Sequence, residues 1–189
     1  MSRLQLRTIA NAPEDAKASL TAVENRNGYL PNLLRILANA PVALEVYLTV
    51  SAINVRGTLT PAQREAVQIT AAATHGCGFC VAGHTAIALK RFGLDEATVE
   101  ALRSLQPVSD PKLNAITLFT KAVIRDRGRV DDADLTLFRS AGFDEAAALE
   151  VVLGVSLATL CNFANNLGQP PLNSELEPYR WSGLGDVVA

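Results

Sequence analysis

Apolar residues in the segment "DPKLNAITLFTKAVIRDRG" recur at Leu113, Ile116, Phe119, Val123 and Ile124, a spacing of threes and fours that lines one face of an α-helix. Asp110 stands where a side-chain cap belongs, and Gly128 where such a helix stops. A second helix is predicted from about Thr60 to His75: Thr60 can cap it, Pro61 occupies the first turn, and Gln63 can reach back to complete a capping box. The same punctuation recurs along the chain. Pro13, Pro31, Pro41, Pro61 and Pro111 sit where a first turn can start, and Gly28, Gly57, Gly76, Gly93 and Gly128 where helices can end. Little in the chain suggests strands, so the expected class is all-α.

Two stretches, Ala66 to Leu89 and Val151 to Ser174, contain no Asp, Glu, Lys or Arg. Gln68, Thr70, Thr74 and His75 interrupt the first; Asn162, Asn165, Asn166 and two prolines interrupt the second. Each such polar group is costly in hydrocarbon, so both stretches read as helices buried in a protein or oligomer, with no membrane partner. The 189 residues, 49% of them hydrophobic, suffice for one domain, 1–189. Within it a charged linker, Arg125 to Asp134, suggests an N-terminal half of about 1–127 and a C-terminal half of about 128–189. "GLDEATVEAL" from Gly93 recurs loosely as "GFDEAAALEV" from Gly142. That leaves open either a duplicated helical unit or a repeated helix stop and cap. The final "GQPPLNSELEPYRWSGLGDVVA" has three prolines and no sustained period. It reads as an irregular C-terminal arm anchored by Trp181.

Lys and Arg total 17 against 19 Asp and Glu, a net charge of -2, so no field favours a nucleic-acid partner. "MSRLQLRTIA" has no apolar core and no small-residue cleavage site, which makes cytoplasmic the expected location.

The chemistry is concentrated in "THGCGFCVAGH", Thr74 to His84. On a helix Cys77, Cys80 and His84 share one stripe. A helix start lowers a thiol pKa, which alone favours Cys77 as the reactive sulfur. His84, one turn past Cys80, can accept its proton, and Glu65 in the preceding helix can orient that histidine or ferry protons. Plainer readings exist for each group. Two cysteines and a histidine give three ligands where structural zinc takes four, and free thiols also pack as small hydrophobes. Cys161 reads as an inert core residue, His75 as a helix terminus and Phe79 as core.

Glu65, eleven intervening residues, "CGFC", three more and His84 resemble the core motif of the alkylhydroperoxidase AhpD family. The likeness runs through "LTPAQREAVQITAAATHGCGFCVAGHTAIALKRFG" and more loosely through the preceding "PNLLRILANAPVALEVYLTVSAINVRG". It implies membership of the carboxymuconolactone decarboxylase superfamily, in its peroxidase-related branch. It further implies an AhpD-like helical fold with a duplicated helical unit, and trimeric or hexameric assembly. The implied activity is that of a thiol peroxidase acting on hydroperoxides without a bound cofactor, recycled by a dithiol reductant, lipoyl-type in the family. Carried over by position, Cys80 is the peroxidatic thiol activated by His84, Cys77 resolves, and Glu65 serves a proton relay. Phe79 stands where the best-studied members carry a histidine. The alternatives are a decarboxylase or isomerase using Glu65 and His84 as acid and base, and a redox-sensing protein without turnover.

Overall fold

The Thr60 hydroxyl accepts from the Gln63 backbone N–H at 3.2 Å, while Gln63 Oε1 accepts from the Thr60 N–H at 2.8 Å. The predicted capping box thus forms and starts α4, Pro61–Thr74. The computed structural model describes residues 2–184. Met1 and the tip of the expected arm, 185–189, lie outside the described residues. Before α4 come α1 (Glu14–Asn27), α2 (Asn32–Leu37) and α3 (Pro41–Asn54). After it come α5 (Gly78–Lys90), α6 (Glu96–Arg103), α7 (Pro111–Arg125), α8 (Asp132–Ser140), α9 (Glu145–Gly168) and a 3-10 helix, Ser174–Tyr179. No strand occurs among the described residues, so the all-α expectation holds.

Local chemistry accounts for these boundaries. Pro41, Pro61 and Pro111 occupy first turns, while Pro13 and Pro31 sit one position earlier as caps. Asp95, Asp110, Asp131 and Asp144 each accept from the backbone N–H three residues on, satisfying a donor the helix itself cannot. Gly93 and Gly142 both take positive φ, 66° and 88°. The "GLDE" and "GFDE" segments are therefore the same turn twice, a left-handed glycine followed by an aspartate cap. Each turn leads into the third helix of a trio, α4–α5–α6 and then α7–α8–α9.

Gly57 departs from its predicted role as a helix stop. Its φ is not positive; the Glu150 carboxylate lies 2.7 Å from where a Cβ would stand. That carboxylate accepts from the Thr58 and Leu59 N–H groups at 2.8 and 2.9 Å, tying the entrance of α4 to α9.

Two cores result, both crossed by α4, α5 and α9. Leu20, Leu37, Leu44, Val81 and Leu157 belong to the first, and Ile69, Leu102, Ile116, Phe138 and Val151 to the second. In the second, Phe138 stacks between Phe119 and Phe143 with centroids 4.1 and 4.5 Å away. Between the cores α9 meets α4 closely. A Cβ on Gly154 would lie 2.9 Å from Val67 Cγ1, and Gln68 Nε2 donates to the Gly154 carbonyl at 2.9 Å. By length and composition α9 could cross a membrane. In this fold it is the spine the cores share, and it buries Asn162 and Asn165.

Candidate active site: a buried dithiol beside a histidine–carboxylate pair

The chain reverses at His75, Gly76 and Cys77. His75 closes α4 as its cap residue, as expected; Gly76 takes φ 66°; Cys77 opens α5. Only glycine adopts that conformation freely, and the reversal delivers the first cysteine to a helix N-terminus. Cys80 follows one turn on, and His84 one turn beyond it. Glu65, on the facing side of α4, meets His84: Nδ1 and Oε2 are 2.8 Å apart. All four predicted residues therefore gather at one α4–α5 junction. Cys77, Cys80 and Glu65 are 1%, 5% and 7% exposed, and the imidazole keeps 28% of its side-chain surface.

The electrostatics order these groups. The Cys77 thiol is held below its usual range, first by the Cys80 thiol acting as a donor toward it. The backbone N–H groups of Cys80 and Phe79 and the Asn165 amide add to this, against the opposing effect of burial. Cys80 is pushed well above its usual range, first because it donates to Cys77, then by burial and by the charges of Cys77 and Cys161. The two sulfurs titrate as a pair, and of the two Cys77 is the one that favours the thiolate. Burial alone would lower the His84 pKa. The charge and hydrogen bond of Glu65, joined by the charge of Cys77, outweigh it and leave the imidazole raised.

Of the two sulfurs, Cys77 is the one whose charge contributes to raising His84, after the larger effect of Glu65.

Sequence reasoning missed the contribution of α9. Asn165, 3% exposed, donates from Nδ2 to Cys80 Sγ at 3.2 Å. Asn162 Oδ1 meets His75 Nδ1 at 3.0 Å, and Asn166 donates to the His75 carbonyl at 2.9 Å, binding α9 to the reversal. Three asparagines in an uncharged stretch were visible, but which of them face the cysteines depends on how α9 crosses α4. Cys161 is buried as expected and pushed up to about 12, first by burial and then by the charge of Cys77. Tyr47 of α3 is raised as well, by burial first and then by the charges of Cys161 and Cys80. Phe79 and Trp181 pack against the first core, and the Trp181 carbonyl covers the start of α5, 3.2 Å from where a Cβ of Gly78 would be. A cleft between α7 and α8, lined by Leu118, Phe119 and Leu137, and a shallow one on α3 both lie apart from the cysteines. No group of three or more His, Cys, Asp or Glu among the described residues is arranged to hold a metal.

Residues 41–122 match the model of the carboxymuconolactone decarboxylase family. No curated protein matches the chain. Among solved structures, one from Ralstonia eutropha JMP134 is described as an alkylhydroperoxidase AhpD core, an uncharacterized peroxidase-related protein. It superposes with a TM-score of 0.81 at 23% identity, over 93% of this chain and 94% of that one. An uncharacterized peroxidase-related protein from Silicibacter sp. TM1040 gives 0.77 at 17% identity, over 94% of each chain. The debrominase Bmp8 gives 0.75 at 16% identity, again over 94% of each. At these identities the likeness establishes the fold, which hosts more than one chemistry.

Proposed function

Because residues 41–122 belong to the carboxymuconolactone decarboxylase family and the chain has an AhpD-like helical fold, we propose that this protein is a thiol-dependent peroxidase. Its substrate class is a hydroperoxide, and its reductant an external dithiol, of lipoyl type by the family resemblance. One observation carries the reading: a buried pair of free thiols at the start of α5 stands on the same helix as His84, whose Nδ1 meets the buried Glu65 carboxylate at 2.8 Å. A structural thiol pair has no need of such neighbours.

In the proposed cycle the pair has already given one of its two protons to His84, which Glu65 holds in place, and the remaining proton passes from Cys80 to Cys77. Cys80 is left as thiolate. Its sulfur attacks the terminal peroxide oxygen, the S–O bond forms as the O–O bond breaks, and the leaving alkoxide takes the imidazolium proton. Sulfur is oxidised by two electrons and the peroxide is reduced to alcohol. Cys77 then gives its proton to His84 and attacks the Cys80 sulfenic acid; the S–S bond forms, and hydroxide departs with that proton as water. Two thiols of the external reductant regenerate the pair and leave as a disulfide. Each step sets a thiolate against an electrophilic oxygen or sulfur in a site sheltered from bulk water, where the fixed donors act strongly.

The test is steady-state consumption of an alkyl hydroperoxide with dithiothreitol or dihydrolipoamide, for the wild type and for Cys77→Ser and Cys80→Ser. Loss of turnover in both variants supports the reading. Turnover that survives both replacements refutes it, and is what acid–base chemistry by Glu65 and His84 alone would give.

A further inference from the structure

Asn165 lies 85 positions beyond Cys80, on a different helix, and belongs to no motif that pointed to the site. Its carboxamide is almost wholly buried, at 3% exposure. One end is committed: Nδ2 donates to Cys80 Sγ at 3.2 Å. The same amide also favours the charged form of Cys77. The other end, Oδ1, has no hydrogen-bond partner. A buried carbonyl oxygen without a partner is uncommon and calls for a reason. If α9 needed only to pack here, leucine would fill nearly the same volume at no such cost.

We propose that Asn165 is a catalytic residue of the dithiol site, its N–H holding negative charge on Cys80 and its free oxygen accepting the O–H of the sulfenic acid formed there. The inference rests on the peroxidase reading for its second half only. An asparagine side chain suits both states because it carries donor and acceptor on one rigid plane. The thiolate takes the donor. Once oxygen has been added, the sulfenic acid presents an O–H next to the open acceptor. Holding that group steady keeps its sulfur turned toward Cys77 and keeps further peroxide from advancing it to sulfinic acid. A charged residue would do this poorly: aspartate would repel the thiolate, and lysine would pair with it permanently.

The experiment uses Asn165→Leu, which removes donor and acceptor at similar volume, and Asn165→Ser, which restores a smaller donor. Alkylation of Cys80 by iodoacetamide is followed against pH by mass mapping, and single-turnover oxidation by a hydroperoxide is followed by Trp181 fluorescence. The expected result for the leucine variant is a Cys80 profile displaced upward by about one pH unit, an oxidation rate about tenfold slower, and sulfinic acid at Cys80 on excess peroxide; serine recovers part of each. A folded leucine variant with a wild-type Cys80 profile overturns the proposal. If the variants do not fold, the wild type decides by NMR: the Asn165 side-chain amide resonances must shift as the dithiol titrates and again as it oxidises, and resonances that stay put overturn the assignment. A wild type that consumes no hydroperoxide removes the peroxidase reading, while the Cys80 profile still decides the role of the amide.

Discussion

His84 Nδ1 and Glu65 Oε2 stand 2.8 Å apart across the contact between α4 and α5, with the carboxylate almost fully buried and one edge of the imidazole open. In the proposed cycle this pair is the end of the proton path. Glu65→Gln keeps the shape and removes the charge, and is expected to slow peroxide turnover by about 100-fold, the usual scale for a positioned proton carrier. A variant within twofold of wild type would show that the pair is only structural.

The same contact makes a pH-dependent contribution to stability, and its sign follows from the direction of the shift. His84 is raised from 6.5 in the fold, so the native state holds its proton more tightly than the unfolded chain. The stabilisation is complete below 6.5 and fades as pH rises through the higher folded value. The melting-temperature gap between wild type and His84→Gln should therefore be wider at pH about 6 than at pH about 9. A gap that widens with rising pH would contradict the assignment.

The dithiol should titrate as a unit. Its first ionisation falls below the ordinary thiol value of 9.0 and places the charge on Cys77, while the second lies far higher. Thiolate absorbance should show one equivalent in the lower step, with Cys161 silent because burial pushes it up to about 12. In Cys80→Ala the donor is gone and the Cys77 value should rise. If it does not move, the two sulfurs share no proton.

Oxidation by one equivalent of peroxide should yield a Cys77–Cys80 disulfide with Cys161 left as a thiol. The three cysteines lie close enough to affect one another's ionisation, but only the first two are joined by a single helical turn that starts at a glycine-flanked end. Peptide mapping that placed Cys161 in the bridge would assign it a redox role that its position in the core does not suggest.

The elements of this fold were legible wherever their cause is local. The Thr60 box, the caps at Asp95, Asp110 and Asp144, the reversal at Gly76 and the stripe of Cys77, Cys80 and His84 all follow from spacings of one to four residues. The Glu65–His84 contact was also legible, because α4 and α5 are adjacent in sequence and their packing leaves few registers. Asn165 was hidden for the opposite reason. It reaches Cys80 only because Gly154 lets α9 come close to Val67 and Gln68 of α4, and no short-range pattern encodes that approach. Gly57 shows the same limit. As a residue it looked like a helix stop, while its requirement comes from Glu150, on α9.

Gly78 offers a test of the C-terminal arm. In an exposed first turn, Gly→Ala stabilises by about 0.4–1 kcal/mol through the unfolded chain. Here the added methyl would lie 3.2 Å from the Trp181 carbonyl and 3.8 Å from its ring. Gly78→Ala should therefore gain no stability, shift Trp181 emission to the red and make the arm easier to cleave. A more stable variant with unchanged emission would mean that the arm does not press on the dithiol helix.

Assembly is the last expectation, and the surface gives it a location. Leu149, Val152, Phe163 and Leu167 lie exposed along α9, at intervals that keep them on one outward stripe. Val42, Val46 and Ile53 are exposed on α3, which packs beside α9. Apolar side chains in such number on two adjoining helices form a surface that water disfavours by about 25 cal/mol per Å². A few hundred Å² therefore favours association by several kcal/mol. The stripe also borders the chemistry, since the Phe163 ring meets His75 edge-on at 5.1 Å, two residues before Cys77. A neighbouring copy seated on α9 would close the site's outer wall. Sedimentation equilibrium at low micromolar concentration should find a trimer or hexamer, and Leu149→Glu combined with Phe163→Glu should dissociate it and lower peroxide turnover. A wild-type 20.1 kDa monomer with full activity would leave this apolar stripe without a role in assembly or catalysis.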